Sequence, residues 1–215
     1  CIRDSIRLEP DEVDALRDTD IRTVTIGNSY PGLSSVRPDD ISAARLAVDH
    51  LLQLGHQRIG LIEGMPDDPM RTEVSWRRRE GFEQALTRAG IVVDPDLLHT
   101  GNFSIEGGQD AMARLLALSK PPTAVFAISD EMAMGARGVA VEQGLRIPED
   151  MSVVGFDDHP LAQTVALTTI RQDPTASGAH AARWIVEDLR DDACNLHTHE
   201  VDVELVVRRT TAPPC

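Results

Sequence analysis

Lysine is almost absent from this sequence: Lys120 stands alone among 21 basic residues, against 35 acidic ones, for a formal net charge of -14. A surface this acidic repels phosphates, which excludes DNA or RNA binding by these residues alone. The one basic cluster, Arg77-Arg78-Arg79, does not change that balance, so any nucleic-acid role has to come from a segment outside these residues. Cysteine is scarce too: Cys1, Cys194 and Cys215 are odd in number and lack paired spacing, which speaks against a disulfide scaffold and for a reducing, cytoplasmic setting. No apolar run approaches the roughly 20 residues that cross a bilayer, and residues 1–10 carry no apolar signal core. Dinucleotide and P-loop glycine patterns are missing, as is a Gly-x-Ser-x-Gly nucleophile elbow. Together these absences argue against a nucleotide enzyme or an α/β hydrolase, and no catalytic residue is assigned.

What is present is an ordinary globular composition, 41% hydrophobic and 26% charged over 215 residues, enough for one or two domains with a real core. Apolar runs bounded by turn residues predict strands at Val24–Ile26, Ile59–Ile62, Val125–Ile128, Val153–Phe156 and the alternating Val201–Val207, with weaker ones at Leu97–Phe103 and Thr168–Gln172. Between them lie helical stripes. Ile41, Ala44, Val48, Leu51 and Leu52 form one, with Asp40 as N-cap and Gly55 past the end. Phe82, Ala85, Leu86 and Ala89 form another, stopped by Gly90. A third runs Ile105, Gly108, Met112, Leu115 and Leu116 behind Ser104, and a fourth opens at Asp130 with Ala133, Ala136, Val139 and Ala140. The last has Asp173 as N-cap and Pro174 at its first position. Strands alternating with helices mean an α/β fold with a mostly parallel sheet covered on both faces. In such sheets ligands bind beyond the carboxyl ends of the strands, which directs the search to the residues after Ile62, Thr100, Ile128, Phe156 and Ile170.

Four places on that edge carry candidate chemistry. Arg77-Arg78-Arg79 opposes the dipole of a helix start, which prefers carboxylates. Either the forks reach a ligand or they pair with nearby acids. Arg78 differs from its neighbours, because it precedes Phe82 by four and shares the buried stripe. Phe103 ends a strand in a chain with only seven aromatics (2 Trp, 1 Tyr, 4 Phe), and reads equally as a ring-stacking platform or as core. Ser129-Asp130 follows the third strong strand, with Asp130 as the obvious helix cap. Asp157-Asp158-His159 follows the fourth and offers carboxylates to ligand hydroxyls. An Asp–His catalytic pair is disfavoured there, since sequence neighbours rarely face one another. Cys194, His197 and His199 lie within six residues but lack a fourth ligand, so no metal is assigned to them and no cofactor is called for.

Several of these runs together resemble one family. Leu54–Ile62, Arg78–Leu86, Pro122–Ala136, Gly144–Asp158, Leu167–Gln172 and Leu205–Thr211 are similar, in order and across nearly the whole chain, to the effector-binding domain of LacI/GalR-type bacterial transcription regulators. The resemblance implies two Rossmann-like lobes of the periplasmic-binding-protein type holding a sugar or related small polar effector, in a protein that is no enzyme. It implies lobe crossings near Pro38-Asp39, near Gln172 and near Val201, so that 39–171 with 201–215 form the C-terminal lobe and 1–38 with 172–200 a remnant of the N-terminal one. On that reading the helix-turn-helix and the first part of the N-terminal lobe are lacking, operator DNA is met only through that missing domain, and an open sheet edge predicts self-association or disorder within 1–38.

The family's effector contacts fall on Arg78, Phe103, Ser129, Asp157 and Gln172. Ser129 departs from the usual asparagine, and Gly27 stands where many members have an aspartate. The resemblance also implies a homodimer, through the helix Met132–Val141 and the loop Leu161–Ala166, with Met132, Met134, Val141 and Leu161 at the contact. The competing expectation on the same fold is a periplasmic sugar-binding protein of a transporter.

Overall fold

The computed structural model describes residues 8–19, 21–65, 73–190 and 195–215. Cys1 and Cys194 lie outside the described residues. In chain order the elements are α1 (Pro10–Arg17), β1 (Val24–Ile26), β2 (Ser34–Pro38), α2 (Asp40–Gln53), β3 (Ile59–Glu63), α3 (Val74–Arg88) and β4 (Leu98–Thr100). There follow α4 (Ile105–Leu116), β5 (Ala124–Ala127), α5 (Asp130–Glu142), β6 (Ser152–Asp157), α6 (Pro160–Thr164) and β7 (Thr168–Arg171). Last come α7 (Pro174–Arg190), β8 (Thr198–Val201) and β9 (Glu204–Val206).

The chain forms two compact units and, among the described residues, passes between them after Asp39, after Arg171 and after Val203, with Glu73 and Val74 also grouped with the smaller unit. The smaller unit has a three-stranded parallel sheet in the order β1-β2-β8, with α7 packed on β1 and β2. Its central strand β2 was not expected from the polar run Ser34-Ser35-Val36. It forms because β1 and β8 pair with both its edges, which buries Ser35 and Val36 completely. Helix α1 was not expected either: Val13 is its only buried residue, too few for a periodic stripe.

The larger unit holds a six-stranded sheet ordered β4-β3-β5-β6-β7-β9, parallel throughout except for β9, which runs antiparallel to β7. Strands β3, β5 and β6 are buried on both faces, which is why they read as unbroken apolar runs. Phe82, Phe126, Phe156 and Leu115 are all under 2% exposed, and each contributes about 1.5–3 kcal/mol by leaving water. One expected strand divides here. Val201–Val207 alternates without a break, yet β8 pairs with β2 in one unit and β9 with β7 in the other, because the chain changes sheet at Asp202-Val203.

The amino edge of the larger sheet is strapped by the chain's last residues. Thr210 Oγ1 donates to the Val153 carbonyl (2.6 Å) and accepts from Thr168 N–H (2.9 Å), and the Val153 N–H donates to the Thr210 carbonyl (2.7 Å). His56, 2% exposed, closes the strap: Nδ1 meets Thr123 Oγ1 at 2.9 Å, while Nε2 lies 2.8 Å from the Ala212 carbonyl and 3.1 Å from Ser152 Oγ. Burial lowers the His56 pKa, against a smaller opposing effect of the Ala212 carbonyl.

Candidate functional site

The carboxyl edge of the same sheet gathers unlike residues: a buried arginine, strand-end carboxylates and an aromatic in an unusual backbone conformation. Helix α3 places Arg78 inward, one turn before the buried Phe82, so the residue is only 4% exposed. A guanidinium cannot lose its proton inside a protein, so its burial demands partners on every side. It has them. Nε donates to Asp40 Oδ1 at 2.8 Å, Nη1 donates to the Ile128 carbonyl at 2.6 Å, and the guanidinium carbon lies 3.4 Å from the Phe156 ring centroid. The stack adds about 2 kcal/mol in so dry a setting. Nη1 also lies 3.6 Å from Asp157 Oδ1, whose side chain is 36% exposed.

Asp40 was expected to cap α2. Instead it is the first residue of that helix, with a side chain only 3% exposed, and its carboxylate turns to Arg78. Sequence offered no signal for this, because the partners lie 38 positions apart. The other two arginines of the triplet behave as structural residues. Arg79 bridges Glu83 (2.8 Å) and Glu63 (3.2 Å), and Arg77 lies over the Trp76 ring at 5.7 Å.

Beyond β6 the chain turns sharply. Asp157 and Asp158 have φ of 115° and 55°, conformations that a side chain adopts at a cost of about 1–3 kcal/mol each. Asp158 has both oxygens engaged, by Arg171 Nε (2.7 Å) and Arg208 Nη2 (2.6 Å). Burial pushes its pKa up, but those two arginines outweigh it and hold the carboxyl below its usual range. His159 caps α6, with Nδ1 accepting from Leu161 N–H, and takes no part in an acid–base pair with its neighbours. Asp157, partly exposed, lies beside Arg78 at the start of the turn.

Helix α5 corrects a second cap. Ser129 is its N-cap, with Oγ accepting from Met132 N–H at 3.3 Å. Asp130 is fully buried behind it, accepting from Thr169 Oγ1 (2.6 Å) and from the His159 N–H (2.7 Å). Desolvation, reinforced by Asp157 and Asp158 and opposed by those two bonds, raises its pKa to about 7. Ser129 follows Ile128, whose carbonyl holds Arg78, so Arg78, Ser129 and Asp157 share one end of β5 and β6. Phe103 leaves β4 at φ 52° and lays its ring over Gly64, beyond β3, where a Cβ would strike the ring. Gln172 begins the stretch of the smaller unit that leads into α7.

Among the expected dimer residues, Met132 is corrected: it is fully buried under α4, where a Cβ on Gly108 would meet its backbone, so it has no surface to offer. Val141 and Leu161 are 49% and 51% exposed, and Met134 is half-buried. In the smaller unit His199 stacks on His180 (4.2 Å) and His197 on Trp184 (4.7 Å).

A mostly parallel sheet between helices, with polar side chains converging at its carboxyl edge, is an α/β domain of the kind that binds ligands beyond its strand ends. The model of the periplasmic binding protein-like domain matches residues 48–211. The HTH-type transcriptional repressor CytR of Escherichia coli (strain K12) is 40% identical over 181 residues, covering 83% of this chain and 52% of the repressor. A LacI transcriptional regulator from a Rhodococcus species superposes with a TM-score of 0.85 at 33% identity, covering 97% of this chain and 76% of that one. A LacI family transcriptional regulator from Enterococcus faecium with bound ribose gives 0.85 at 31% identity, over 95% and 76%. The chain belongs to the periplasmic binding protein-like family, among the LacI-type transcriptional regulators. It spans about half the length of the curated relatives it matches. Their names are those of regulators, which favours that reading over a transporter's sugar receptor.

Proposed function

We propose that this chain senses a small, polar, hydroxyl-bearing effector for a cytoplasmic transcription regulator, and that it catalyses no reaction. The Arg78 clamp carries the reading. A guanidinium held on three sides, with an edge toward the Asp157 carboxylate, is a preorganised donor–acceptor pair suited to adjacent hydroxyls or an amide edge. Phe103 supplies the apolar face for a ring and Ser129 a hydroxyl beside the clamp. Binding alters a conformational equilibrium by differential affinity, and DNA binding responds through a part of the protein beyond these residues. The larger unit serves as the C-terminal effector lobe and the smaller as part of the N-terminal one. Exposed Val141 and Leu161, with Met134, contribute to pairing with a second copy.

Thermal-shift titration against free pentoses and hexoses, disaccharides, nucleosides and purine bases tests the proposal. A compound that raises Tm for the native chain and loses that effect in Asp157→Ala supports it. A panel in which every binder acts equally on Asp157→Ala removes the site assignment. Gln172, expected as a contact from the resemblance, is tested by Gln172→Ala in the same titration. Val141→Glu with Leu161→Glu tests pairing by sedimentation velocity, with an unchanged sedimentation coefficient counting against it.

A further inference from the structure

Asp130 stands directly behind the proposed site yet faces away from it, and its bonds are unusual for a residue at a helix start. Ser129 already caps α5 through the Met132 N–H. Both oxygens of Asp130 instead point across to other elements, Oδ1 to the Thr169 hydroxyl of β7 and Oδ2 to the His159 N–H at the entry to α6. We propose that Asp130 is a positioning residue, whose carboxyl fixes the turn Asp157–Asp158 and so sets where the Asp157 carboxylate meets an effector. The inference rests on the effector reading above.

Three observations carry it. The turn holds two successive non-glycine residues at positive φ, a strained state that persists only when its surroundings impose it. The restraints converge on Asp130: it binds His159 on the far side of the turn, and the Thr169 hydroxyl that it accepts from also receives the Asp158 N–H at 3.4 Å. Space is reserved for it as well. Gly155, two residues before Asp157, lies where any Cβ would strike Asp130 Oδ1, so the carboxyl rests directly on the backbone of β6. One side chain thereby ties the start of α5, where Ser129 sits, to the turn that carries Asp157. The charged groups that act on it are Asp157 and Asp158 on the turn, which themselves face Arg78 from α3 (Asp157) and Arg171 from β7 with Arg208 from the strap (Asp158), while the titratable His159 meets it through its backbone N–H.

The experiment compares Asp130→Ala, Asp130→Asn, Thr169→Val and Thr210→Val with the native chain. Thr210 is a buried hydroxyl of the amino-edge strap and serves as the control for general destabilisation. Three readouts are taken: hydrogen exchange of the His159 and Asp158 amides relative to global opening, the pH titration of the Asp157 ¹³Cγ signal, and calorimetric titration with D-ribose. In Asp130→Ala the His159 amide exchanges at least about tenfold faster than global opening explains, the loss of one hydrogen bond of about 1.4 kcal/mol. The Asp157 signal then titrates at higher pH, as its carboxylate leaves Arg78. Asp130→Asn, which keeps an acceptor for His159, restores most of both, and Thr210→Val changes neither. If Asp130→Ala does not fold, Thr169→Val carries the test by removing one of the two bonds. Native exchange and titration in folded Asp130→Ala and Thr169→Val overturn the proposal, as does an equal change in Thr210→Val. If ribose binds the native chain, a matching affinity in Asp130→Ala also overturns it. If no compound of the wider panel binds the native chain while the turn loosens as described, the positioning role stands and the effector reading fails.

Discussion

Removing the Asp40 carboxylate tests the Arg78 clamp most directly. Asp40→Ala leaves a guanidinium 4% exposed with its Nε unpaired, while the Ile128 carbonyl and the Phe156 ring stay in place. Breaking a buried pair from one side costs about 3–5 kcal/mol, because the surviving charge keeps its desolvation penalty without its partner. Asp157 Oδ1, already 3.6 Å from Nη1, recovers part of that by moving closer, which puts the expected loss near the lower figure. For a chain of this size each kcal/mol moves Tm by about 2–4 °C, so the fall should be about 6–12 °C. Urea and thermal unfolding by circular dichroism read it. The double variant Asp40→Leu with Arg78→Met removes both charges and should recover most of the loss, although it discards the proposed effector contact. A loss under about 1 kcal/mol, the range of exposed ion pairs, would refute the claim that the clamp is dry. So would a double variant as unstable as the sum of the singles.

Three other perturbations have definite signs. Asp130, with its pKa raised from 3.8 to about 7, contributes stability that is complete below 3.8 and lost as pH rises through 7. Urea unfolding at pH 5 and pH 8 should show that loss, on the order of a few kcal/mol, and Asp130→Asn should flatten it; parallel pH profiles would count against it. His56 works in the other direction: its lowered pKa means that stability is lost as pH falls below its ordinary 6.5, so the Thr210 and Ala212 amides should exchange faster at pH 5 than at pH 7.5, corrected for intrinsic rates. A strap equally protected at both values would contradict this. Asp157→Gly should remove binding by about 10- to 150-fold, the worth of a charge-assisted hydrogen bond, and leave stability within about 1 kcal/mol, since relief of the φ 115° conformation offsets the lost Arg78 contact. A Tm drop above about 5 °C would mean that Asp157 is structural.

How far the sequence carried depended on whether a residue's role is local. Strands β3, β5 and β6 were legible because burial on both faces leaves an uninterrupted apolar run. Arg78 was separable from Arg77 and Arg79 because helical spacing alone puts it on the stripe of Phe82. The failures involve long-range partners. Ser35 is polar yet fully buried, because two neighbouring strands satisfy the β2 backbone. Ser129 and Asp130 are both good caps, and only the distant Thr169 and His159 decide which one caps. Val201–Val207 shows one alternation because the period of a strand does not record which sheet it joins. Met132 was placed at a contact surface by the resemblance, whereas its packing against Gly101 and Gly108 buries it.

The strap at the amino edge has a consequence for how such a domain changes over generations. Val153, Thr168, Thr123 and Ser152 are tied down where their strands begin, by Thr210, Ala212 and His56. The loops proposed to meet a small molecule leave from the opposite ends of the same strands. The two edges are joined where Arg208, just before Thr210, donates from Nη2 to Asp158 Oδ1 at 2.6 Å, so strain passes between fastening and loops through that bond. Away from that bond, the residues that anchor the strands and the residues proposed to meet an effector are different ones, so each set is free to vary while the other is kept.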